Sequence, residues 1–379
     1  MGPPVAIVRC ETYEDQKVLK SLGRSIELLG GIQAFIRRGD RVLLKPNLLY
    51  GRPVEKAVTT HPAIIKGMIQ IVREAGGIPF IGDSPSVGSV VRAAEKAGIK
   101  AVADESGCPL VEFDQPTSPA RGARKVFKRL EIDRSVLEAD VVINLPKWKT
   151  HGMMLLTLGV KNLFGCVPGP RKALWHLKAG EDRRRFAQVL LDLYQVIRPA
   201  LTILDGVVGM EGNGPQSGRP ISLGLILASR DPLSIDQVVC DLIGMPRKSL
   251  LTNRVALEDG IGGGDISVVG EPINQIQVET FALPSLTSVS WNLPTFLRRA
   301  LKNAFSSRPA IVQENCRSCD RCTEICPPKA LERKDDRLVF DYGECIRCFC
   351  CQEVCPEGAV SIEPGWVSRL VRRETRGVK

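Results

Sequence analysis

Nine of the chain's 13 cysteines fall between Cys316 and Cys355, in the segments CRSCDRCTEICPPKA and CIRCFCCQEVCPEGA. Cys316, Cys319, Cys322 and Cys326 read CxxCxxCxxxCP, and Cys345, Cys348, Cys351 and Cys355 repeat that spacing, proline included. A tetrahedral zinc site needs four soft ligands. Two identical runs of four fit two 4Fe-4S cubanes better: the xx spacing folds three thiolates around one cubane, and the fourth cysteine reaches the other. The expected sets are Cys316, Cys319, Cys322 and Cys355 for one cluster, and Cys345, Cys348, Cys351 and Cys326 for the second. Cys350, inside CFCC, would ligate only if the register slipped by one; otherwise it packs as a small apolar side chain. No window provides the CxxxCxxC of radical chemistry.

This region resembles the bacterial two-cluster ferredoxin domain, with RLVFD as a strand between its halves. The resemblance implies a relay of single electrons. The expected partner is a low-potential electron donor or acceptor protein, unless the rest of the chain is itself the partner.

A second set of chemistry-bearing residues lies upstream, each group following an apolar run. LLKPNLLYG supplies Lys45 and Asn47, TTHP supplies His61, and GDSP supplies Asp83 and Ser84. LPKWKTHGMMLLTLGVKNLFG supplies Lys147, Lys149, His151, Lys161 and Asn162, and LDGVVGMEGNGP supplies Asp205 and Glu211. Cations in such positions would hold a phosphate or carboxylate. Solvated surface lysines are the alternative, and Trp148, set between Lys147 and Lys149, weighs against it. Histidine is the usual proton carrier near neutral pH. His151, His61 and Lys147 are therefore the catalytic candidates, and Lys45, Asn47, Lys149, Lys161, Asn162, Asp205 and Glu211 the substrate-binding ones. Asp205 and Glu211 have three open roles: taking protons, binding a divalent metal, or pairing with the lysines.

The elements that must position these residues alternate. PVAIVRC, DRVLLKPN, IPFIGDS, ADVVINLPK, PALTILD and SLGLILAS read as strands; QKVLKSLGRSIELLG, AIIKGMIQIVREAGG, RRFAQVLLDLYQVI and SIDQVVCDLIGM read as helices. That alternation predicts a mainly parallel sheet with helices on both faces, followed by a small α+β ferredoxin-like domain. In such sheets ligands bind beyond the C-terminal strand ends, where the polar motifs sit. The expected divisions are 1–285, a 286–306 linker with a short basic helix, the cluster domain at 307–364 and a basic tail at 365–379.

Hydrophobic content of 44% and charged content of 25% fit a soluble globular protein. The net charge of +10 favours anionic partners. Nucleic acid is not expected, because aromatics are 5% of the chain and no basic run interleaves with them. No export signal or membrane-spanning run is visible, so the expected location is the cytoplasm. There is no Walker loop, GxGxxG at a strand-to-helix turn, HExxH or GxSxG.

In order along the chain, KPNLL, TTHP, GDSP, LPKWKTH, TLGVKNLFG, LDGVVGMEGNGP and ASRDP together resemble the domain-of-unknown-function family 362, over roughly residues 5–245. Ferredoxin-like domains are often fused to the C-terminus in that family. The resemblance implies an iron-sulfur protein with a redox role and supplies no substrate. Two readings follow. In one, the clusters feed electrons to an anionic small molecule in the α/β crevice. In the other, the chain is a non-catalytic carrier or adaptor that docks to a larger redox complex.

Overall fold

The computed structural model describes residues 2–85, 88–119, 130–169, 171–262, 265–276, 278, 280–284, 304–335 and 337–365. The expected linker helix and basic tail lie outside the described residues, apart from 304–306 and 365.

The main sheet is built from β1 (Val5–Arg9), β2 (Arg41–Pro46), β3 (Ile78–Asp83) and β4 (Leu110–Glu112). A separate two-stranded ribbon pairs β5 (Pro116–Thr117) with β6 (Ile132–Asp133). The sheet continues with β7 (Val141–Leu145), β8 (Lys147–His151), β9 (Leu155–Thr157), β10 (Leu201–Glu211), β11 (Arg219–Ser229) and β12 (Val268–Gly270). Its order is β12-β1-β11-β10-β7-β2-β3-β4. The run from β10 to β4 is parallel throughout. β11 is antiparallel to both of its neighbours. The short connection GNGPQSG accounts for this, since a parallel return needs a crossover of a dozen residues or more.

Alternation along the strands fills both faces. Val42, Leu44, Val141, Ile143, Ile226 and Ala228 pack with Val18, Leu22, Ile64 and Met68 from the helices Asp15–Glu27 and Pro62–Glu74. Leu43, Phe80 and Val142 face the other way, onto Phe186 and Leu190 of the helix Arg183–Ile197. Val5, Ile7, Leu225 and Leu227 pack on Ile235, Val238 and Val239 of the helix Pro232–Leu242. The result is the expected mainly parallel sheet with helices on both faces.

One long strand positions the site. β10 pairs first with β7 (Leu201 opposite Ile143), then with β8 (Asp205 opposite Lys147, Met210 opposite Lys149). The KWKTH motif is thus a strand extending past the sheet's C-terminal edge. After β9 the chain turns into the short helix Gly159–Asn162, whose first two N–H groups, of Gly159 and Val160, are capped by Asp236 Oδ1 (2.7 Å) and Oδ2 (3.3 Å). This fixes where Lys161 and Asn162 point.

The C-terminal part pairs β13 (Arg308–Ile311) with β16 (Val360–Glu363), and β14 (Leu331–Lys334) with β15 (Arg337–Phe340). It has its own core of Leu331, Leu338, Val354 and Val360 around the cysteines. It also lends Phe349, Cys350 and Ile362 to the core under Phe164 and Phe186.

Gly159 is where this packing leaves no room. A Cβ there would meet Pro232 Cβ at 2.8 Å and the Pro232 carbonyl oxygen at 2.9 Å. Gly159→Ala should therefore cost about 1–3 kcal/mol by overpacking. Thermal unfolding measured by circular dichroism checks this; an unchanged midpoint would mean that the two helices are not held as tightly as described.

Candidate functional site

A cavity opens at the C-terminal edge of β2, β3 and β8, enclosing about 670 Å³ including its open mouth. Its wall carries four lysines: Lys45, Lys149, Lys161 and Lys172. Three have partners. Lys45 Nζ donates to Asp83 Oδ1 (2.9 Å) and to the Pro46 carbonyl (2.8 Å). Lys149 Nζ donates to Asn47 Oδ1 (2.7 Å) and the Val58 carbonyl (2.6 Å). Lys172 Nζ donates to the Ser84 carbonyl. Among the described residues Lys161 has no hydrogen bond or ion pair; its Nζ lies 5.9 Å from the Phe164 ring centre.

Buried amides orient Lys149. Asn162 Nδ2 donates to Asn144 Oδ1 (2.8 Å), Asn47 Nδ2 donates to Asn162 Oδ1 (2.8 Å), and Asn47 Oδ1 receives Lys149. Burial makes the ammonium forms expensive. It lowers Lys149 to about 7, helped by the like charge of Lys161, and lowers Lys172 to about 8. Burial also pushes Lys161 down.

The opposite wall belongs to the cysteine region: Ile325, Cys350, Glu353 and Val354. His151 joins the two. Its Nδ1 accepts from the N–H groups of Met153 (3.0 Å) and Met154 (3.2 Å), so Nε2 carries the proton and donates to Glu353 Oε1 (2.6 Å). Burial holds His151 near 4, hence neutral. Burial alone would raise Glu353, but Lys161 and His151 outweigh it and hold the carboxyl ionised. The loop between β10 and β11 adds to the seam: Gln216 Nε2 donates to the Glu353 carbonyl, and Gln352 Nε2 to the Asn213 carbonyl (3.3 Å). Arg52 Nη2 donates to the Cys355 carbonyl (3.0 Å).

The other expected residues sit elsewhere. Lys147 and His61 do not line the cavity. Lys147 Nζ donates to Asp205 Oδ2 (2.9 Å) and Tyr13 Oη (2.7 Å), and Tyr13 Oη donates to Asp205 Oδ1 (2.7 Å). His61 stacks on Tyr13, its backbone N–H donates to Asp205 Oδ2 (2.9 Å), and its Nδ1 caps the following helix at Ala63 N–H (3.2 Å). Glu211 accepts from Arg219 Nε (2.6 Å), away from both groups. Of Asp205's open roles the geometry displays one, pairing with a lysine.

The cysteines gather in two neighbourhoods. Cys316, Cys319, Cys322 and Cys355 line one small cavity. Cys345, Cys348, Cys351 and Cys326 lie close enough to influence one another's ionisation. The backbone repeats as well. Ser318 and Arg347 adopt left-handed φ (53° and 55°), as do Asp320 and Phe349 (55° and 60°), and Lys329 and Gly358 (54° and 65°). Backbone N–H groups of Ala330 and Ala359 donate to Cys326 and Cys355 Sγ, each at 3.2 Å. Soft thiolates with N–H donors, on a chain curled the same way in each half, fit a 4Fe-4S cluster in each neighbourhood.

Sequence reasoning missed Lys172, His176, Tyr13 and Glu353 as site residues. Lys172 and His176 lie in RKALWHLKA, an amphipathic stretch with no unusual pattern. Glu353 had a faint signal, an acid set between cluster cysteines in CCQEVCP.

Comparison with known proteins finds two family matches. Residues 42–241 match the family described as domain of unknown function (DUF362), and residues 308–359 match a 4Fe-4S dicluster domain. The thylakoid-associated protein sll1697 of Synechocystis sp. is 38% identical over 315 residues, covering 80% of this chain and 95% of that protein. Two solved structures share a looser likeness. The lactate racemase apoprotein from Thermoanaerobacterium thermosaccharolyticum has a TM-score of 0.40 at 11% identity, covering 60% of this chain and 54% of that one. A Thermotoga maritima protein has a TM-score of 0.37 at 10% identity, covering 67% of this chain and 61% of that one. Among the described residues no helix is long and apolar enough to cross a membrane. The chain belongs to the DUF362 family and carries a C-terminal ferredoxin-type 4Fe-4S dicluster domain with an electron-transfer role.

Proposed function

We propose that this chain is an oxidoreductase that takes single electrons from a low-potential carrier protein and delivers them to an anionic small molecule between its two domains. One observation carries the reading: a single cavity is walled by four lysines on one side and, on the other, by the helix Cys350–Val354 that includes Cys351. When bound, the two 4Fe-4S clusters supply one-electron chemistry. In this reading Cys316, Cys319, Cys322 and Cys355 hold one, and Cys345, Cys348, Cys351 and Cys326 the other.

The chain's own residues do the rest. Lys161 and Lys172 hold the acid group of the substrate. Lys149, an ammonium with a pKa of about 7, can give up a proton near neutrality and regain it. A two-electron reduction consumes two electrons, taken one at a time from the carrier, and two protons from the cavity groups and water. His151 stays neutral and holds Glu353 against the cavity wall. His61 and Lys147 act as positioning residues, fixing β8 against β10 through Asp205. Closing the cavity between two domains excludes bulk water and strengthens each charge within it.

Cys319 is exposed, whereas Cys345, Cys348 and Cys351 are buried. The outer cluster is therefore the electron entrance in this reading. Arg317 and Arg321 line its cavity beside Asp320 and Glu357, with Arg317 Nε 3.5 Å from Glu357 Oε2. Arg317 is exposed in the first cysteine loop, and Arg321 and Lys96 lie over Tyr50, 5.0 and 4.7 Å from the ring centre. An acidic carrier fits that rim. We place the chain in the cytoplasm; the basic C-terminal sequence and the thylakoid association of the Synechocystis relative favour a position beside an anionic membrane surface.

Lys161→Ala should keep about eight irons per chain yet slow acceptor-driven re-oxidation of the anaerobically reduced protein by roughly 10-fold or more. Iron analysis with stopped-flow bleaching reads both. Re-oxidation at the parental rate by every acceptor would favour the carrier or adaptor reading. Replacing Arg317 and Arg321 together by Glu should slow reduction by an acidic donor protein roughly 10-fold at low salt, an effect that added salt removes. The rate of cluster reduction against ionic strength decides it, and a salt-independent rate would move the entrance elsewhere.

A further inference from the structure

The charges around the cavity go on to define its ligand, an inference that rests on the cavity being the substrate site. Lys45, Lys149, Lys161 and Lys172 face two carboxylates, Asp83 and Glu353, and no other charged side chain lines the wall among the described residues. Burial keeps His151 and His176 neutral at neutral pH, near 4 and 3. Full protonation of the lysines therefore leaves an excess of two positive charges. Asp83 is engaged by Lys45 and Glu353 by His151, so neither carboxylate is bonded to Lys161 or Lys172. Two polar atoms in the wall also lack partners among the described residues: Thr157 Oγ1 and His176 Nδ1, on residues 3% and 4% exposed. Buried polar atoms without partners cost stability unless a bound species satisfies them.

We propose that the cavity takes a small acid carrying two negative charges on carboxylate or phosphate oxygens, and that the protein takes up a proton as this acid binds. Lys161, Lys172, Thr157 and His176 are the groups left to meet it. The proton goes to the lysines. Lys149 is lowered by burial and by Lys161 and Lys147, against Glu353 and Asp83. Lys172 is lowered by burial and by Lys45, against Asp83, Glu353 and Cys166. A dianion beside them raises both, so uptake is greatest just above the ligand-free values of about 7 and about 8. Binding is strongest below that range and fades as the bound lysines deprotonate. The cluster of Cys345, Cys348, Cys351 and Cys326 would bring negative charge of its own behind the Cys350–Val354 helix. The same lysines would offset that charge if the cavity held no acid.

The test is calorimetric titration of the anaerobic, cluster-loaded full chain with acetate, sulfate, malonate and inorganic phosphate, just above neutral pH, in two buffers of different ionisation enthalpy. Malonate, phosphate or sulfate should bind at least roughly 10-fold tighter than acetate, with a buffer-dependent heat that reports proton uptake. Whether malonate or phosphate binds tighter separates the carboxylate from the phosphate source. Lys161→Met, which keeps the packing of the stem, should lose roughly 10-fold of the dianion preference, and Thr157→Val a smaller share. Acetate binding as tightly as the dianions overturns the proposal. So does failure of every dianion to bind, and a shift of cluster midpoint potential in Lys161→Met would then assign the lysines to the cluster. A dianion that binds but never re-oxidises the clusters leaves this inference standing and removes electron delivery. A monoanion that re-oxidises them does the reverse.

Discussion

Ammonium groups do not belong in a protein interior, and this fold keeps several at the end of its sheet. Taking an ion out of water costs several kcal/mol even after relaxation. Lys45, Lys147 and Lys149 are each 1% exposed or less. Each therefore needs a prepared receptor: Asp83 for Lys45, Asp205 with Tyr13 for Lys147, Asn47 with a backbone carbonyl for Lys149. The receptors come from β3, β10 and the segment after β2, so the charges fix how the strand ends lie against one another. The asparagine chain through Asn162, Asn47 and Asn144 serves the same end, with no charge of its own.

Lysines 147 and 149 show how far a short motif can carry two jobs. They are two residues apart on β8, with Trp148 between them pointing into the core under Leu204 and Leu225. One ammonium meets a carboxylate and is a strut. The other meets an amide and a carbonyl and faces open space; burial lowers both ammonium groups, but only the first has a bonded carboxylate to offset it. Aspartate against asparagine as the partner, with the like charge of Lys161 beside Lys149, separates a structural lysine from one that can exchange protons.

Much of this was legible in the sequence for local reasons. The cysteine spacing is self-contained, since loops of two residues leave thiolates little freedom. Alternation in DRVLLKPN and ADVVINLPK marked buried strands, and the polar residues after them marked the sheet's functional edge. Partnership across long separations was not legible. His151 and Glu353 stand 202 residues apart, and no periodicity announces that they meet. Lys172 and His176 lie on a helix with an ordinary amphipathic pattern, and only the packing of Phe164 and Phe186 turns His176 toward the cavity. The motif puts Lys147, the catalytic candidate, two residues from Lys149, the binding one, and spacing alone does not reveal that it is Lys147 that finds Asp205.

The paired left-handed residues of the two cysteine loops carry a final consequence. At equivalent places the first loop has Asp320 and the second has Phe349. Asp320 remains partly accessible; Phe349 is 1% exposed and sits in the core of the α/β domain. A duplicated module has no inherent front or back. Phe349, with Cys350, Ile362 and the Glu353–His151 bond from the same half, gives it both, much as a keyed plug enters its socket in a single orientation.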